Sequence, residues 1–139
     1  MNAIATAIQT RGTASSNFNT SIGGRLYFVK APQIPVFPFV KYFIVNHSLD
    51  QYFNAVNDST QVIDDITCQF NIHSNTIGSS SEAGTILIYL RSQFDNCSLS
   101  ITGYNSHKMR LTNIFGPFWI EEDESWTYAL EYYVTIQKS

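Results

Sequence analysis

Charge is what this chain has least of. Asp, Glu, Lys and Arg make up 14% of its 139 residues, where about a quarter is usual, and Asn, Ser and Thr supply most of the polar surface instead. Eight basic residues against eleven acidic ones leave a net charge of -3 and a pI near 5.4. That balance argues against a protein whose affinity comes from neutralising phosphates, leaving room for a weak lumen or rim contact. It suits contact with other proteins, because few charges have to be desolvated. Cysteine is scarce as well. Cys68 and Cys97 stand far apart without a C-x-x-C partner, so free thiols in or near a core are expected and no disulfide is needed to hold the fold. No stretch approaches the length of a membrane span, and the opening MNAIATAIQTRG has neither a basic leader nor an apolar run of signal-peptide length. The expectation is a protein made and kept in the cytosol. The N-x-S/T triplets at Asn19, Asn46, Asn57 and Asn96 then reflect only an Asn- and Ser-rich composition.

Apolar residues, at 44%, and aromatic residues, at 14%, are plentiful. A chain of this size is expected to form one domain over residues 1–139, burying about two thirds of its unfolded surface in a single core. The stretch Gly23 to Asn46, GGRLYFVKAPQIPVFPFVKYFIVN, organises the rest. It reads as a glycine turn, a short strand from Arg25 to Val29, a crossing from Ala31 to Pro38 and a long apolar strand. Pro32, Pro35 and Pro38 each fix φ and remove a donor, so the crossing is an extended, rigid link. In the strand after it, Phe37, Phe39, Phe43 and Val45 alternate with Val40, Tyr42 and Ile44. Apolar on both faces, it is expected to be covered on both, by helices or by another subunit.

Around this stretch, Asn2 to about Ala14 reads as a short helix and Ser15 to Ser21 as polar chain around Phe18. Asn46 to Thr60 has no clear period and reads as a long loop. Val62 to Ile72 alternates Ile66, Cys68, Phe70 and Ile72 with polar residues, a strand with one buried face. Ser79 and Glu82 have capping-box spacing ahead of a helix whose stripe is Ala83, Ile86, Leu87, Leu90 and Phe94. Leu99 to Thr102 and Lys108 to Phe115 read as strands, the latter with Met109, Leu111 and Phe115 to one side and a break or bulge at Gly116-Pro117. From Trp126 to Gln137, Trp126, Tyr128, Leu130, Tyr132, Val134 and Ile136 hold strict alternation, the strongest strand signal in the chain. The fold class is therefore α+β: an antiparallel sheet with an N-terminal helix and a second helix, about residues 79–95, packed on it.

Residues that could carry chemistry are few. His47, His73 and His107 sit in or beside polar turns, away from any ligand at helical spacing, and read as surface or loop side chains. Asp64 and Asp65 point to opposite faces of a strand, wrong for a shared acid–base pair. Glu121 to Glu124 lacks the spaced oxygens and glycine of a calcium loop; it reads as a solvated turn or as a partner-facing acidic rim. Gly23 and Gly24 are succeeded by no lysine and helix start, so they form no phosphate cradle. Twenty aromatic residues raise base stacking as a possibility, against which stand the acidic charge and a core-like aromatic face. No enzyme, cofactor or metal is expected.

Gly23 to Tyr42, with Gly-Gly-Arg-Leu-Tyr, then Ala-Pro-Gln, then Phe-Pro-Phe-Val, resembles the opening of the small tail-completion or tail-terminator proteins of long-tailed bacteriophages. ITCQFNI at Ile66 to Ile72, the Ser-rich helix start at Ser79 to Ala83, DNCSLSITG at Asp95 to Gly103 and WTYALEYYVTIQK at Trp126 to Lys138 resemble later parts of that family in the same order. Phe39 stands where Tyr is commoner there, and Asn46 to Thr60 has no counterpart. The resemblance implies a structural virion protein of the tail or neck, assembled in the host cytoplasm. It would cap the tail tube and meet the head-completion or connector protein as a homo-oligomeric ring, commonly a hexamer, through which genome DNA passes without sequence-specific binding. On that reading Pro35, Phe37, Phe39, Val40 and Tyr42 are expected at the subunit interface, and Tyr52, Phe53, Glu121, Glu122 and Asp123 at partner contacts along the tail axis. The rival reading is a non-catalytic binding module, or a nucleic-acid-binding accessory protein, of the same fold.

Overall fold

The structure, a computed structural model, describes residues 3–50, 63–76, 78–122 and 124–138. In chain order it runs α1 (Ala3–Gly12), α2 (Asn17–Ile22), β1 (Leu26–Phe28), β2 (Phe39–Asp50), β3 (Ile63–Ser74), α3 (Ser81–Phe94), β4 (Tyr104–Ser106), β5 (Arg110–Ile120) and β6 (Ser125–Lys138). The strands make one sheet in the order β1-β2-β3-β6-β4, with β5 also paired to β6. Because β3 occupies one edge of β6 from Trp126 to Gln137, β5 and β4 share the other edge, β5 along Ser125 to Tyr133 and β4 at Ile136 to Lys138. The class is α+β, as expected. One strand pair departs from the antiparallel expectation: β1 and β2 are parallel, Leu26 opposite Val40, because the proline crossing carries the chain back before β2 begins.

Period-two alternation sorts the two faces of the sheet. Val40 and Tyr42 of β2, Ile66, Cys68, Phe70 and Ile72 of β3, and Leu130, Tyr132, Val134 and Ile136 of β6 join one buried cluster with the inner faces of the helices. Rings fill its centre: Phe70 lies 4.8 Å from Phe94 and 5.7 Å from Tyr132, and Phe94 meets Phe18 edge-on at 6.1 Å. Gln93 Nε2 donates to the Arg11 carbonyl at 2.8 Å and Arg11 Nε to the Gln93 carbonyl at 2.7 Å, tying the end of α1 to α3.

Four local expectations are corrected. Ser15 to Ser21 is not merely polar chain. It holds α2, for Ser16 Oγ accepts from the Asn19 amide at 3.2 Å and Gly23, with φ 59°, closes the helix in the left-handed region. Asn46 to Asp50 is not loop but the end of β2, since a ladder partner is at hand in Ile63 to Thr67, past a bulge between Ile44 and Asn46; residues 51–60 of that expected loop lie outside the described residues. Leu99 to Thr102 is not a strand. Leu99 and Ile101 alternate because they dip into the core, and the ladder residues come later, in β4. The expected capping box is absent: Ser79 Oγ accepts from the Ser81 amide, while the Glu82 carboxylate accepts instead from Ser74 Oγ at 2.6 Å, binding α3 to the end of β3.

Gly116 and Pro117 do carry a bulge, between Phe115 and Phe118, and a second lies between Leu111 and Asn113. The second reverses the facing of the residues beyond it. Leu111 sits opposite Tyr132 and Phe115 opposite Ala129, so the two do not share a face as the sequence suggested. At Gly116, φ is +117° and a Cβ would lie 2.7 Å from the Thr127 carbonyl oxygen, so only glycine fits there.

Candidate assembly surface

Among the described residues, no three His, Cys, Asp or Glu side chains gather closely enough to hold a metal ion. No helix among them is long and apolar enough to cross a membrane. Cys68 and Cys97 are free and buried, and burial pushes both thiols upward from their ordinary pKa, away from the thiolate that nucleophilic chemistry requires. Burial likewise pushes the Tyr42 phenol up to about 12; its hydroxyl lies 2.9 Å from the Ala5 carbonyl and 2.8 Å from Gln9 Oε1. Tyr132 is raised by burial and then by its hydrogen bond to Asp95. These groups anchor the interior. His73, expected at the surface, is buried on β3 instead, stacked 4.7 Å from the Phe39 ring with Nδ1 3.3 Å from Thr127 Oγ1. The His47 side chain lies outside the described residues.

The surface features lie elsewhere. The crossing folds over the face of the sheet opposite the helices. Arg25 Nε donates to the Pro38 carbonyl at 2.8 Å and Nη2 reaches the Phe37 carbonyl at 3.4 Å, while the Phe37 ring packs 5.1 Å from Phe39. Between the crossing and the sheet is a groove of about 360 Å³, with Lys30, Pro35, Phe37, Lys41 and His73 along it. Ile34 on the crossing is 88% exposed and Val36 61%, a high exposure for branched aliphatic residues on a rigid link. At the other side of the sheet, among the described residues, β5 has β6 on one edge only. Phe115, Phe118 and Ile120 stand exposed on it, Phe118 at 51%, and Glu121 and Glu122 are exposed in the turn to β6.

The residues expected at a subunit interface divide accordingly. Phe39, Val40 and Tyr42 are buried within the chain's own core, since α1 covers Tyr42 and the crossing covers Phe39. Pro35 and Phe37 are half-buried at the groove. Within the crossing and strand expected at the interface, the exposed apolar side chains are Ile34, Val36 and Val45, and others stand on β5. Alternation marks Phe39 as apolar without saying that the chain folds back over it. Of the expected axial contacts, Glu121 and Glu122 fall in the β5–β6 turn, and Tyr52, Phe53 and Asp123 lie outside the described residues.

No protein-family model matches the chain, and no curated protein matches it in sequence. Solved structures match its fold. A chain from the "Virion of native gene transfer agent (GTA) particle" superposes with a TM-score of 0.74 at 11% identity, over 99% of each chain. A second solved chain superposes with a TM-score of 0.70 at 13% identity, over 99% of this chain and 95% of the other. At these identities the likeness is one of fold.

Proposed function

We propose that this chain is a non-catalytic structural protein of a tailed phage or phage-like particle, one that caps the tail tube and joins it to the head connector. The observation that carries the proposal is the end-to-end fold match to a chain of a gene transfer agent virion. The ordered resemblance of Gly23–Tyr42, Ile66–Ile72 and Trp126–Lys138 to tail-terminator proteins refines it from virion component to tail terminator. Copies of the chain form a ring, six as the family resemblance implies, around the path of the DNA. A net negative chain lets that polymer pass without holding it. The two kinds of exposed apolar surface lie on opposite edges of one sheet, which suits a ring, because a cyclic assembly joins unlike patches.

Electron microscopy of particles from cells in which this gene alone is stopped tests the proposal. Overlong or unattached tails beside DNA-filled heads are expected. Complete particles with tails of normal length would sink it.

A further inference from the structure

Resting on that reading, we infer that the ring is closed by the β5–β6 hairpin of each copy seating on the proline crossing of the next. The sheet order places β1 and its crossing at one side and β5 at the other. They lie at the same end of the strands: Phe39 pairs with His73, His73 with Thr127 and Thr127 with Phe118, one row across the sheet from the foot of the crossing to the hairpin. Copies set side by side with their strands aligned therefore bring one patch level with the other.

The two patches are complementary in kind. The hairpin offers Phe115, Phe118 and Ile120. The crossing offers Ile34 and Val36 beside a groove of about 360 Å³ that the Phe37 and Phe39 rings line. Charge fixes the sense of the contact. Glu121, Glu122 and Glu124 make the hairpin turn acidic, and Lys30 and Lys41 border the groove. Two hairpins set against each other would bring like charges together, and so would two crossings, whereas hairpin on crossing pairs opposite signs. The occupant of each groove is thus a second copy of this chain, joined head to tail, the unlike-patch contact from which a ring is built when the rotation between copies closes.

The test uses the full chain in three forms: Lys30→Glu with Lys41→Glu, Glu121→Lys with Glu122→Lys, and all four together. Sedimentation velocity over rising concentration reads the association midpoint, and thermal melts confirm that each form is folded. Each double reversal is expected to weaken association at least tenfold, with the fourfold variant returning to within about threefold of the natural chain. Midpoints unmoved by the double reversals, or a fourfold variant as weak as the doubles combined, would overturn the contact, as would a natural chain still monomeric at about 1 mM. Those outcomes leave the neck role standing, since that role is decided by the particles lacking the gene.

Discussion

Tyr132 shows how single side chains reconcile polarity with burial here. Its ring lies in the core while its hydroxyl donates to Asp95 at 2.5 Å, and Arg91 Nε donates to the other Asp95 oxygen at 3.0 Å. Tyr132→Phe keeps the ring and removes the hydrogen bond to a charged group, which should cost about 1.5–3 kcal/mol in urea unfolding. Acid–base behaviour rests on the same interior. Cys68 and Tyr42 have raised pKa values when folded, Tyr42 near 12, while in the unfolded chain thiols and phenols lose their protons near about 8.5 and 10. Above those values the folded state holds protons that the unfolded state has released, so stability must fall as pH rises. Melting temperatures should decline steadily from about pH 9 toward 12; a flat profile would refute the assignment. Much of this was legible at the residue level: the alternation of Ile66, Cys68, Phe70 and Ile72 named four fully buried side chains. The partners were not, because Tyr42 meets Ala5, thirty-seven positions away, and no local pattern records a contact that only the fold creates.

Elements are legible in the sequence where one period dominates and obscure where tertiary pairing decides. α3 was evident from its stripe, and β6 from its alternation. α2 is not legible in the periodicity although Ser16 and Gly23 mark its ends, since six residues give too little period to detect. The final residues of β2 have loop-like composition and are strand because β3 lies beside them. Within α3, Phe94 is the residue on which the helix and sheet converge, touching Phe18, Phe70 and Tyr132. Phe94→Ala should therefore cost about 3–5 kcal/mol in chemical denaturation. Ile88→Ala, on the exposed side of the same helix, should change stability by no more than about 0.5 kcal/mol.

For the molecule as a whole, the proposed ring has folding and assembly draw on different apolar residues of one short segment. Phe39 and Ile34 are five positions apart, yet the first is sealed beneath the crossing and the second stands on it. Phe39→Asp should unfold the chain, as a buried unpaired charge does. Ile34→Asp should leave the melting curve within about 0.5 kcal/mol of the natural chain and abolish self-association in the same sedimentation experiment. A ring that survived Ile34→Asp would remove the crossing from the interface.

The pairing of β3 with β6 has a mechanical side. Twelve consecutive residues of each strand are in register, from Ile63 opposite Gln137 to Ser74 opposite Trp126, and the hydrogen bonds between antiparallel strands run across the strand direction. A pull along the strands loads that whole ladder in shear, so its bonds share the tension and yield together, whereas a pull across them peels the ladder open from one end. The sheet is therefore stiffest along its strands and weakest across them.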